Sequence, residues 1–320
     1  MEIKKSYTSD TKITIFSLPG IATILVLFLA AGCASETPPE MEPNKVTITA
    51  VGLTFEAPDT IQSGWTTFQL DNQSDMIHFA LFQKFPQGKG LVDHQEEIAP
   101  FFQNVMNGIN GMEPADPEIG AAPPEWYSNV QMMGGPGLVS GNLNAETTFY
   151  IEPGTYLVEC YVKTNGIFHS YNPSPDVYGM AIEITVTENP DATAPPASTS
   201  TLNISSEGGI EMTGSQVRGE NVVEVIFEDQ NTYANFVGHD VHLVRLDEAA
   251  DEEAISSWMN WTSPSGLETP APATFIAGTN EMPAGSSAYL HLNLEPGDYM
   301  WIAEVPEPGS KGMVQRFTIE

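Results

Sequence analysis

The same series of landmarks runs twice along this 320-residue chain, in the same order and at similar spacing. Ile77-His78-Phe79-Ala80-Leu81-Phe82 is answered by Val241-His242-Leu243-Val244-Arg245-Leu246. Glu152-Pro153-Gly154-Thr155-Tyr156 is answered by Glu295-Pro296-Gly297-Asp298-Tyr299. Each half then closes on Gly-Met and an alternating run, at Gly179-Met180 and again at Gly312-Met313. A repeat of this kind limits the chain to folds that can be built twice. The Pro-, Ser- and Thr-rich segment Asn189–Thr201 between the copies cannot bury a core and reads as a linker.

The periodicity within each copy is that of strands. Ile182, Ile184 and Val186 alternate with Glu183 and Thr185, and Leu290, Leu292 and Leu294 alternate with His291 and Asn293. Such alternation buries one face of a strand. Pro-Gly before Tyr marks a turn feeding a strand. The fold class that follows is all-β, with two tandem Greek-key β-sandwich domains. Each carries a short helical insert, over Val92–Met106 in the first and Ala249–Met259 in the second.

The N-terminus carries Lys4, Lys5 and Lys12, then an apolar run from Ile21 to Ala31. That is the layout of an export signal, set apart from the fold. Leu29-Ala30-Ala31-Gly32-Cys33 resembles a bacterial lipobox, which makes Cys33 the expected lipid attachment site. The expected organisation is a signal peptide over 1–32, a stalk over 33–44, a first domain over 45–188, a linker over 189–202 and a second domain over 203–320. The expected location is the cell envelope, anchored to the membrane by lipid and facing periplasm or exterior. With 42 acidic against 11 basic residues, the net charge of −31 excludes nucleic acid as a partner. A redox or binding protein remains an expected partner.

With Cys33 lipidated, Cys160 is a lone thiol outside the cytoplasm. It is either a small buried hydrophobe or a ligand. A blue-copper site needs two imidazoles and a thiolate in one plane, usually with a weak axial thioether. His78, Cys160, His169 and Met180 supply that inventory in the first half. Gly154-Thr155-Tyr156 with Cys160 four positions after the tyrosine, Gly179-Met180 before the final strand, and His78 after an Asn-containing turn together resemble the cupredoxin family, the plastocyanin and azurin group. The resemblance implies copper in the first domain, with His78, Cys160 and His169 equatorial and Met180 axial. It also makes His169 the edge nearest solvent. The second half keeps His242 and Met313 but has Ala303 at the thiol position, and no histidine follows it, so no such centre forms there.

Two functions follow from different readings of Cys160. One is an electron carrier or copper-binding protein. The other is a metal-free sandwich pair that presents loops to a partner. The chain has no Gly-x-Ser-x-Gly, phosphate loop, haem attachment motif or His-Glu-x-x-His, and is expected not to be an enzyme. His94 is expected to be solvated, and His291 to lie on the outward face of its strand.

Overall fold

The computed structural model describes residues 42–174, 177–191 and 193–320. The expected export signal, the expected lipid site Cys33 and most of the expected stalk lie outside those residues. Among the described residues no helix is long and apolar enough to cross a membrane.

The first half forms β1 (Asn44–Val51), β2 (Gly64–Asn72), β3 (Leu81–Lys84), β4 (Asn144–Ile151), β5 (Gly154–Glu159) and β6 (Ala181–Thr187). The second forms β7 (Ser200–Ser205), β8 (Gly219–Phe227), β9 (Val241–Leu246), β10 (Thr274–Thr279), β11 (Ser287–Leu294), β12 (Gly297–Ile302) and β13 (Val314–Ile319). The pairing repeats as the sequence does. β1 runs parallel to β2, which pairs antiparallel with β4; β7 runs parallel to β8, which pairs antiparallel with β11. Likewise β5 lies between β3 and β6, and β12 between β9 and β13, all antiparallel. The chain is all-β, a pair of layered sandwiches.

The repeated Glu-Pro-Gly-x-Tyr has a physical reason. Pro-Gly turns the chain, with Gly154 at φ 156° and Gly297 at φ 153°. The tyrosine then returns to lock the turn. Tyr156 OH donates to the Glu152 carbonyl at 2.9 Å, and Tyr299 OH to that of Glu295 at 2.7 Å. Each ring is fully buried at the start of its strand, with its hydroxyl satisfied.

The halves are not beads on a string. β11 pairs with β4 edge to edge, so one eight-stranded sheet runs through both copies. A single buried apolar cluster likewise draws on both. In the first sandwich Phe68 of β2 and Phe149 of β4 meet Phe82 of β3 across the layers, with ring centroids 4.5 and 5.3 Å from it. His291 sits at the seam, half-buried, its Nε2 2.8 Å from Thr148 Oγ1, rather than on an outward face. The proline-rich segment expected as a free linker is itself tied down. Trp65 N–H donates to Thr193 Oγ1 at 2.6 Å, and Thr199 N–H to the Val222 carbonyl at 2.7 Å. Edge pairing explains both departures: β4 and β11 would each leave a row of unpaired backbone groups if the copies stood apart.

The first helical insert runs from Leu91 to Ile109 and contains a π-helical turn, His94–Ile98, before α1 (Ala99–Ile109). His94 faces inward from that turn with 1% exposure, its Nε2 3.0 Å from Glu159 Oε2, so the expectation of a solvated ring is corrected. The π turn adds a residue to the helical circuit and rotates His94 off the outer face. The second insert is α2 (Glu252–Trp258), capped by Asp251 Oδ1, which accepts from the Glu253 and Ala254 N–H groups.

Candidate metal centre

Three local devices deliver three side chains to one point. His78 lies on the stretch between β2 and β3. Asn72 shapes it: its side-chain amide donates to the carbonyls of Met76 at 2.7 Å and Val139 at 2.9 Å, while its Oδ1 accepts from Ser74 N–H. Backbone bonds between His78 and Val139 in both directions then fix the ring's origin. Cys160 follows directly on the end of β5, and its N–H donates to the Met180 carbonyl at 3.1 Å.

His169 is returned by a tight hairpin. Lys163–Thr164 pairs with Ile167–Phe168 across Asn165-Gly166, which take φ 54° and 74°. Two central residues at positive φ are the demand of a two-residue hairpin turn, and Asn-Gly meets it at little cost. The eight residues between Cys160 and His169 therefore fold back on themselves. His169 N–H donates to the Val162 carbonyl at 2.8 Å. Met180 N–H donates to the His169 carbonyl at 2.6 Å, so Met180 ties both Cys160 and His169 through its own backbone. Gly179 before it is obligatory: a Cβ there would stand 2.1 Å from the Ser170 carbonyl oxygen.

Cys160 Sγ lies 3.5 Å from His78 Nδ1 and 3.8 Å from His169 Nδ1, and the two nitrogens are 3.2 Å apart. The point equidistant from these three atoms is about 2.0 Å from each, the length of a first-row metal bond to imidazole nitrogen. All three residues are at most 2% exposed. Burial pushes the Cys160 thiol up to about 12, although the Phe79 and Val162 N–H groups bond to the sulfur and oppose the shift. Burial also drives His78 down to about 4 and His169 down to about 3, the latter helped by the nearby His78 ring. Both imidazoles are thus neutral at neutral pH, with lone pairs free to bind a metal.

The outer nitrogen of His169, Nε2, is 2.9 Å from Thr164 Oγ1, which is 2.7 Å from Thr269 Oγ1 of the second half. That chain sets the ring's orientation and leaves Nδ1 to face the sulfur. It also encloses His169, which at 2% exposure is not the solvent-facing edge the sequence reading expected. The physical reason is the second half, whose Leu267–Thr269 strip bonds along Lys163 and closes over the hairpin.

Sequence reasoning found the converging set but missed its supports. Gln103 of α1 accepts from Phe168 N–H and donates to the Gly166 carbonyl, each at 3.0 Å. Gln95 of the π turn accepts from Gly179 N–H at 2.9 Å and donates to the Ser170 carbonyl at 3.2 Å. The first insert is therefore a clamp on the ligand hairpin. Asn-Gly at 165–166 was the available signal for the hairpin; nothing local marks the two glutamines. Met180 is fully buried beside the ligands through its backbone contacts.

The second half offers a contrast. Ala303 N–H donates to the Met313 carbonyl at 3.2 Å, repeating the Cys160–Met180 bond without a thiol. His242 is used structurally: its Nδ1 accepts from Leu138 N–H at 3.0 Å, and its Nε2 is 2.8 Å from Asp240 Oδ2. With both nitrogens engaged, it pins the halves together. Among the described residues His78, Cys160 and His169 form the one group of three such side chains close enough to share an ion.

No protein-family model matches the sequence, and no curated protein matches it. Solved structures similar to the chain include auracyanin B, at 21% identity over 40% of this chain and 93% of that one, TM-score 0.30. Auracyanin A, a blue copper protein of Chloroflexus aurantiacus, is 21% identical over 45% of this chain and 99% of its own, TM-score 0.27. Copper nitrite reductase from Nitrosomonas europaea is 12% identical over 87% of this chain and 94% of its own, TM-score 0.23. Overlaps this slight leave the fold and the site to stand on the chain's own geometry.

Proposed function

We propose that this protein is a copper-binding electron carrier held at the cell envelope by a lipid on Cys33, with its metal in the first sandwich only. The observation that carries the reading is the buried triangle of two imidazole nitrogens and one thiol sulfur, sized for a single first-row ion. One soft and two borderline donors in a closed site favour copper, and bound copper supplies a one-electron couple between Cu(I) and Cu(II).

The chain's own residues supply rigidity. Both imidazoles are poised neutral, so His78 and His169 bind without giving up protons. Cys160 releases its proton when it becomes a ligand, and the Phe79 and Val162 N–H groups then stabilise the sulfur's charge. Thr164 and Thr269 hold the His169 ring, while Gln95 and Gln103 hold the backbone that carries it. The side chain of Met180 is the proposed weak fourth donor. A carrier needs such a cage, since a site that keeps its shape adds little reorganisation to the transfer. The three side chains are closed off from substrate-sized molecules, so the centre would exchange electrons and not bind a substrate directly. An electron leaving through His169 crosses the Thr164–Thr269 hydrogen-bonded pair, both half-exposed, and a docking protein would approach over them.

Voltammetry of the copper-loaded protein tests the reading. The expected result is a reversible one-electron wave that vanishes in Cys160→Ser. Tight copper binding without reversible redox cycling would leave a storage protein instead and remove the carrier.

A further inference from the structure

A second feature, independent of the metal centre, lies where the first insert meets the second half. A partly open cavity of about 50 Å³ lies there, room for about four waters or an occupant of three to five non-hydrogen atoms. Aromatic rings form much of one part of its wall, with Phe102, Tyr127, Phe168 and Trp261 contributing beside aliphatic and polar side chains. Four acidic or amide side chains also line it: Glu159, Glu281, Gln83 and Asn235, the last engaged by the Glu304 carbonyl and the Val237 N–H.

Their hydrogen bonding is uneven. Glu159 is fully engaged, by His94 at one oxygen and the Gln83 amide at the other. The side-chain oxygen of Gln83, in a residue with no exposure, has no partner. An orphaned buried acceptor costs about 1–3 kcal/mol unless something donates to it. Glu281 accepts from the Gly238 N–H, and no lysine, arginine or histidine among the described residues pairs with it. Burial pushes its carboxyl up to about 8, so an added cation is what would restore its ionised form at neutral pH. Lys163, a buried lysine of the adjoining hairpin, is committed elsewhere, donating to the Trp261 and Ser263 carbonyls. Phe236, at the cavity wall, is 60% exposed with φ 64°, a strained backbone that holds an apolar ring out toward solvent.

We propose that this cavity binds a small primary or secondary alkylammonium ion, with Glu281 as counter-ion, Gln83 Oε1 as second acceptor and the aromatic wall around its methyl groups. The choice of an organic cation over a metal ion follows from the lining. A hard metal needs four to eight oxygen or nitrogen donors. Here the free acceptors are one carboxylate and one amide oxygen, and they stand beside aromatic rings, which attract ammonium through their faces.

Calorimetric titration of the metal-free protein with dimethylammonium chloride, against sodium chloride at equal ionic strength, tests this without reference to copper. Saturable binding at one site per chain is expected. Glu281→Gln, which keeps an acceptor for Gly238, should bind about tenfold more weakly or worse. Phe102→Leu, which keeps an apolar side chain but removes a ring, should weaken binding several-fold, and tetramethylammonium, with no N–H, should compete poorly. Absence of saturation, unchanged affinity in a folded Glu281→Gln variant, or zinc binding at Glu281 without any response to ammonium would each overturn the assignment.

Discussion

Cys160, His78 and His169 are ordinary residues placed where their usual protonation behaviour no longer holds. Folding removes two imidazoles from water and offers neither a charge partner. Their folded values, about 4 for His78 and about 3 for His169, lie below the ordinary 6.5. In the metal-free protein the unfolded chain therefore binds more protons below pH 6.5. The stabilisation is whole above that pH and drains away as pH falls toward 4 and then 3, on the order of 3 kcal/mol per ring. Chemical denaturation of the metal-free protein between pH 7 and 4 should show this loss, and His169→Phe should remove roughly half of it. At this scale the converging side chains stood out in the sequence because a lone thiol and two histidines are scarce and chemically distinct. The second-half Thr269 was not, because its role depends on a contact 105 positions away.

Hairpins and turns do the positioning. Eight residues separate Cys160 from His169, long for a loop that brings two side chains to one point. The Lys163–Phe168 hairpin removes the difficulty by folding the excess back on itself. β6 and β11 were legible as strands because period-two alternation is local, and both helical inserts were legible from their spacing, whereas β7 opens inside the segment expected as linker. The π turn and the glutamine clamps were not, since a helix's contacts are set by what it packs against. The Gly179-Met180 pair is where element geometry meets the site. Gly179→Ala puts a methyl group 2.1 Å from the Ser170 carbonyl oxygen, which forces backbone movement in the ligand loop. It should destabilise the fold by about 2 kcal/mol or more and weaken copper binding in the same variant. A thermal melt and a competition titration measure the two effects. The equivalent change at Gly108, where a Cβ would meet nothing within 4 Å, should leave both near wild type.

As a whole molecule the protein uses one copy of its repeat to finish the other. The second half lacks a thiol, yet it closes the eight-stranded sheet through β11, covers the hairpin tip with Glu268, and supplies Thr269 behind His169. His242, the counterpart of His78, has become a bond between the halves. The repeat was visible in sequence; the shared sheet was not, because edge pairing between copies leaves no periodic mark. Residues 42–191 expressed alone should therefore self-associate through the bared edge of β4. Any monomer recovered should bind copper about tenfold or more weakly, having lost its outer support of His169. Size exclusion and a competition titration read these outcomes.

One sulfur and two imidazole nitrogens converge on a point sized for a single copper ion. Titration of the purified protein with Cu(II), followed by visible absorption, addresses it most directly. An intense thiolate-to-copper band should rise to saturation at one ion per chain, disappear in Cys160→Ser, and be unaffected by His242→Gln in folded protein. A colourless endpoint, or copper affinity unchanged by Cys160→Ser, would contradict it.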